Sequence, residues 1–249
     1  MDFSQVKQVI GVGYTYRQSR PVRDRMGKSR SDHSSHHTDF TYFKKVNGPE
    51  EIVKDGERLH LTRHPITGES VKHWSESEVA IILSEQHTIV GYCLANDFTA
   101  FEIELQNLGE DYDPTYYGKC WPGSCSLGPK IFSAEKIRDD NNLEIGLRIE
   151  RDGIEICDLT YNTRSQLRPF VELPELVVWY YTDLIARFGS YETLPQSKQI
   201  EITGGFLPSG TVILVGSGII KLDSKYFAKS GDIVTIYCPL FGELRNRVE

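Results

Sequence analysis

The sequence predicts a strand-rich α+β fold. Three observations carry that expectation: short β-type runs set off by turn residues, scarce helical periodicity, and connections too short for parallel crossover units. The runs are VAIIL (79–83), TIVGYCLA (88–95), LEIGLRI (143–149), IEICDLTY (154–161), TVILVG (211–216) and DIVTIYC (232–238). Between the third and fourth, Asp152 and Gly153 form the kind of pair that a two-residue hairpin turn selects. Apolar spacings of three and four predict helices only over 98–108 and 175–188, the second through Leu176, Val177, Tyr180, Tyr181 and Leu184. Pro174 suits the first turn of that helix. Such a pattern favours a mixed or mainly antiparallel sheet assembly over a doubly wound one.

A chain of 249 residues, 39% of them hydrophobic, is long enough for one substantial core, and the expectation is a single catalytic domain over 1–249. The net charge of −7 supplies no electrostatic footprint for nucleic acid. One basic cluster stands apart: Arg17, Arg20, Arg23, Arg25, Lys28 and Arg30. It leads into the polar tract around RSDHSSHH, so residues 17–38 are expected to form a mobile polar loop, with His33, His36 and His37 solvated in it. No apolar run reaches the roughly 18 residues of a membrane span, and the N-terminus lacks a signal-peptide pattern, so the expected location is cytoplasmic. Cys93, Cys120, Cys125, Cys157 and Cys238 are an odd, scattered set without CxxC, which points to reduced thiols and away from disulfides or structural zinc. GVGYTY has Tyr16 where a dinucleotide loop needs its third glycine, and GSG at Gly216 is not a hydrolase elbow.

Chemistry concentrates in three acids. Glu76 and Glu78 alternate in WSESEVAIIL, so on a strand both project to one face. With a two-residue turn at Glu85 and Gln86, Glu76 falls opposite Ala95, which puts Asp97 on the same face one diagonal step away. Alternating acids most often mark a solvated strand face. Three converging carboxylates, however, are costly unless a cation neutralises them or some are protonated, and an all-oxygen set suits Mg²⁺, Mn²⁺ or Ca²⁺ more than zinc.

The neighbouring words decide between these readings. GYCLANDFTA (91–100), GKCWPGSCSLGPKI (118–131), ILVGSGI (213–219) and SGDIVTIYCPLFGELRNRV (230–248) follow the acid pair in the order and rough spacing of the fumarylacetoacetate hydrolase family. The chain resembles that family from about Gly11 to its end. Its nearest look is to the 2-dehydro-3-deoxy-D-arabinonate dehydratase branch, through the short gap from Glu78 to Asp97, KxxxGSCxxGP and YNTRSQLR (161–168). The resemblance implies a mixed β-sheet roll of the family's C-terminal domain type, a homodimer or higher homo-oligomer, and Mg²⁺ held by Glu76, Glu78 and Asp97. It also implies a small 2-oxo acid substrate, with Lys119 facing the substrate oxygens, Ser217 positioning the carboxylate, and Lys44 near the family's FxK word.

Two departures limit what carries over. Hydrolytic members have a water-activating His and Glu in YRxHxxE, where this chain has Ser19 and Val22, and the family's arginine four residues after the metal aspartate is Phe101. Arg17, Arg20 or Arg164 would have to replace that charge. The expected function is therefore a Mg²⁺-dependent hydro-lyase that dehydrates a 2-keto-3-deoxy sugar acid through a metal-stabilised enolate, with Lys119 and Ser217 as the catalytic pair. The alternatives are a hydrolase or decarboxylase of an acylpyruvate or 2-oxo diacid, or a protein that binds metal and 2-oxo acid without turnover.

Overall fold

Strand-forming sequence pairs across long separations in the computed structural model, which describes residues 3–13, 15–16, 40–106, 112–219 and 223–249. The elements are β1 (Gln8–Gly13), β2 (Thr41–Val46), β3 (Ile52–Val53), β4 (Arg58–Leu59), β5 (His73–Leu83), β6 (Ile89–Ala100), α1 (Phe101–Glu104), α2 (Pro114–Lys119), β7 (Cys125–Leu127), β8 (Phe132–Ser133), β9 (Glu144–Arg151), β10 (Ile154–Asn162), α3 (Leu173–Phe188), β11 (Thr211–Leu214), β12 (Ile233–Cys238) and β13 (Gly242–Val248). The expected loop over 17–38 lies outside the described residues, with Arg17, Ser19, Arg20, Val22, His33, His36 and His37. Among the described residues no helix is long and apolar enough to cross a membrane.

The strands form two mixed sheets. One runs β2-β1-β11-β5-β6-β7-β3 with β8 added beside β6, and the other runs β10-β9-β12-β13-β4. Among the described residues, parallel pairing is confined to β1 with β11, β3 with β7 and β13 with β4. Alternation along β5 and β6 divides the first sheet into two faces. Val79, Ile81, Leu83, Leu94 and Phe98 join Leu147, Ile149, Val234, Ile236 and Leu244 of the second sheet in the main core. Ala80, Ile82, Cys93 and Ala95 face a smaller core with Val9, Val46, Cys125, Leu127, Val212 and Leu214. The acids Glu76, Glu78 and Asp97 share the parity of this second face.

The Asp152-Gly153 turn forms as expected, with φ of 52° and 77° at its two positions, the handedness that matches twisted antiparallel strands. The helix expected over 98–108 does not form as such: β6 runs through Ala100, and α1 begins only at Phe101. Cross-strand pairing of Phe98 with Ser75 and of Ala100 with His73 outweighs the local helical spacing. The expected β5–β6 register also changes. Glu76 pairs with Asp97, two places from the expected Ala95, because the connection is a longer turn through Glu85–His87 and a bulge follows between Ile82 and Leu83. A shift of two residues preserves which face each side chain occupies, so the acids still converge.

Candidate metal and substrate site

Pairing places the Glu76 and Asp97 side chains side by side, and Glu78 follows one pleat along β5. Glu76, Glu78 and Asp97 each offer an oxygen within 4.8 Å of the others. Glu78 and Asp97 are almost wholly buried, while 27% of the Glu76 side chain remains exposed and gives the cluster its open side. Gly216, just beyond β11, fixes Glu78 by donating its backbone N–H to Oε2 at 2.7 Å. Its φ of 89° is a conformation that glycine adopts freely, and a Cβ there would meet Thr15 Oγ1 at 2.2 Å.

Two lysines balance the acids. Lys119 ends α2, where Asp113 caps the first turn by accepting from the Tyr116 N–H at 3.0 Å. Its ammonium donates to Glu76 Oε2 at 3.0 Å, Asp97 Oδ2 at 2.8 Å and Thr99 Oγ1 at 2.8 Å. Lys45 is fully buried, contacts Asp97 Oδ1 at 2.5 Å, and donates to the carbonyls of Phe98 and Lys119. The charges then follow from burial and neighbours. Burial, reinforced by Asp97, raises Glu76 to about 7 against the pull of Lys119. Burial also raises Glu78 well above the carboxylate range, with Asp97 and Glu76 adding repulsion. Burial would raise Asp97 too, but Lys119 and Lys45 outweigh it and hold its carboxyl below the usual value. Lys119 is itself held well above its ordinary value, because Asp97 and Glu76 overcome its burial.

The structure brings Glu76, Glu78, Asp97 and Lys119 into contact. Ser217 follows Gly216, and its Oγ accepts from the Ile219 N–H at 3.2 Å, which leaves its own O–H available as a donor. Lys44 does not join the group. It pairs with Ile10 on β1, whose side chain belongs to the main core, and the bulge beside this pair turns Lys45 toward Asp97 instead. Counting FxK from Phe43 arrives at Lys45, a signal that could have found it. Thr99 was equally legible as the next same-face residue after Asp97. Phe101 packs against Phe227 with ring centroids 5.8 Å apart, a packing role where the family resemblance leads one to expect an arginine. Arg164 is exposed.

The donor set fits a hard divalent cation: three carboxylates, oxygen only, buried together and mutually repelling. On this mixed sheet the acid cluster and the charged Lys119 beside it form a group that could hold a metal ion. The chain belongs to the fumarylacetoacetate hydrolase family, whose C-terminal region matches residues 8–249.

Among its relatives, a Haloferax volcanii protein named probable 2-keto-3-deoxyxylonate dehydratase is 28% identical over 209 residues, covering 83% of this chain and 59% of the relative. The 2-dehydro-3-deoxy-D-arabinonate dehydratase of Saccharolobus solfataricus is 26% identical over 212 residues, covering 84% and 58%. The chain thus spans less than three fifths of either curated relative. Among solved structures, 2-keto-3-deoxy-D-arabinonate dehydratase complexed with magnesium and 2,5-dioxopentanoate superimposes with a TM-score of 0.70 at 22% identity, covering 98% of this chain and 73% of that one. That likeness shows the fold.

Proposed function

We propose that the chain carries the catalytic domain of a Mg²⁺-dependent hydro-lyase that removes water from a 2-keto-3-deoxy sugar acid. The convergence of Glu76, Glu78 and Asp97 with Lys119 carries this reading, in a chain whose relatives are named as dehydratases. Glu76, Glu78 and Asp97 hold the cation. When bound, a divalent cation draws electron density from a 2-oxo group, acidifies the C3 protons and so favours loss of a C4 substituent. Lys119, whose three N–H groups go to Glu76, Asp97 and Thr99 in the metal-free cluster, would turn to substrate oxygen once a cation takes over the carboxylates, and would supply positive charge there. Ser217 offers its hydroxyl to the substrate carboxylate, beside the Gly216 N–H that fixes Glu78. Lys45 touches no substrate in this scheme. It keeps Asp97 ionised and holds the end of α2 in place.

The test is a substrate panel containing 2-keto-3-deoxy pentonates and acylpyruvates with added Mg²⁺. Mass spectrometry should find a product lighter by one water from a pentonate, with exchange at C3 in D₂O and little carbon–carbon cleavage. Efficient acylpyruvate cleavage without any dehydration would overturn the hydro-lyase reading. The packing of Phe101 against Phe227 favours a second reading, a protein that binds metal and 2-oxo acid without turnover. Metal-dependent pyruvate binding with no product from any panel member would support it.

A further inference from the structure

On the far side of Lys45 from Asp97 lies a second, separate cavity. It has a volume of about 70 Å³, and Lys44, Asn47, Tyr116, Cys120, Gln196 and Gln199 are among the residues that line it, together with the stem of Lys45. A cavity needs only roughly 10–15 Å³ on this measure to admit one water, so the space is ample for a small oxyanion.

Its lining has a definite sign. No carboxylate contributes to the wall. The nearby Glu51 carboxylate lies behind the wall on Asn47, accepting from its backbone N–H at 2.8 Å and its side-chain amide at 3.1 Å, and its charge reaches Tyr116. The Lys45 ammonium is committed to Asp97 and two carbonyls. Lys44 is different: half-buried, and among the described residues no carboxylate pairs with its ammonium. Lys44, which precedes Lys45 in β2, therefore lines the cavity as a cation with no carboxylate partner among the described residues. An ammonium in a partly desolvated wall of amides and phenols attracts an anion more strongly than one in open water, because the same charge acts through a lower dielectric.

We propose that this cavity is a binding site for a small oxyanion, a phosphate or a carboxylate, separate from the acid cluster, with Lys44 as its cation and the Tyr116 hydroxyl, oriented by its hydrogen bond with the Gln196 side chain, as its neutral donor. The site abuts the catalytic lysine, since Cys120 follows Lys119 directly and the Lys119 carbonyl is held by Lys45.

The test uses the full chain in EDTA, so that no cation at the acid cluster can capture the anion. Inorganic phosphate and acetate are titrated separately by calorimetry at constant ionic strength, with chloride as control. The expected result is saturable binding of at least one of them in the millimolar range or tighter. Lys44→Met should weaken it at least about 10-fold, as loss of a charge-assisted contact does, and Glu76→Gln should leave it unchanged. Tighter phosphate than acetate would assign the site to phosphate, and the reverse to a carboxylate. Lys44 is half-exposed, so its replacement should leave the fold intact, and a circular dichroism melt checks this. Should Lys44→Met not fold, Lys44→Gln and Lys44→Arg are titrated in its place: a loss of affinity in Lys44→Gln that Lys44→Arg restores sustains the proposal, and equal affinity in the two overturns it. Absence of saturable binding by the native chain, or equal binding by Lys44→Met, overturns it.

Discussion

At Lys45 the stability of the protein and the chemistry of its site meet in one side chain. Its ammonium has no exposure to solvent, and the Asp97 it touches is 2% exposed. Breaking a buried pair by deleting one partner leaves the other charge desolvated, at a cost of roughly 3–5 kcal/mol. Because Asp97 keeps Lys119, Lys45→Met should fall at the lower end, about 3 kcal/mol by urea denaturation. A change below about 1 kcal/mol would show that the pair contributes little. His73 gives a second reading of burial. It is stacked on Phe98 with centroids 5.3 Å apart, and its Nε2 accepts from the Thr62 N–H at 2.9 Å. Burial pushes its pKa down to about 4, with the Val71 backbone and the charge of Glu102 opposing the shift. A depressed pKa means the unfolded chain takes up a proton that the native protein refuses. The stabilising contribution is therefore complete above about pH 6.5 and lost as pH falls toward 4, at about 1.4 kcal/mol per unit. His73→Gln keeps an acceptor and cannot titrate, so the difference between native and variant stability should shrink by up to roughly 3 kcal/mol between pH 7 and pH 4. A difference independent of pH would mean that His73 does not report this burial.

The β5–β6 hairpin shows what was legible in sequence at the scale of elements. Alternation of Glu76 with Glu78, and of Asp97 with Thr99, is a period-two signal that puts each pair on one face of its strand, and only the parity of the turn decides whether the two pairs share a face. The register was not legible. It depends on Gln86 and His87 adopting φ of 53° and 62°, and on a bulge between Ile82 and Leu83. Gln86 is not a residue that local preference puts in that conformation, and the mild enrichment of histidine there is too weak to mark His87. The acids survived the error because it amounted to two residues. One residue would have sent Asp97 to the opposite face. Lys45 illustrates the reverse case. Its burial depends on a bulge in β2 that seats two lysines on different sides, and adjacent lysines carry no local mark saying which one turns inward. Helix α2 was missed because its six residues are too few to show periodicity. The helix at 175–188 was legible, since α3 extends over sixteen residues with Leu173, Val177 and Leu184 buried.

For the molecule as a whole, the pairing of β2, β1, β11, β5 and β6 in one sheet brings residues from Lys45 to Gly216 around one cluster, so the site exists only when that long-range pairing is complete. A cation bound there should report on global folding. Burial and repulsion hold Glu76 and Glu78 above the usual carboxylate range beside an ionised Asp97, and a cation that takes the place of their protons binds the folded chain while finding no such cluster in the unfolded one. The stabilisation then follows mass action: at a concentration one hundred times the dissociation constant it is about 2.7 kcal/mol. In a chain of this size each kcal/mol moves the melting temperature by roughly 2–4 °C, so saturating Mg²⁺ or Mn²⁺ should raise Tm by about 5–10 °C, and EDTA should reverse the rise. Sodium chloride at matched ionic strength should not reproduce it, because screening acts weakly on buried charges. Asp97→Asn removes one ligand and should abolish the shift. Differential scanning fluorimetry across a cation series decides the matter. A Tm indifferent to every divalent cation, or an equal shift in Asp97→Asn protein, would mean that the cluster is held by its lysines alone and takes no metal.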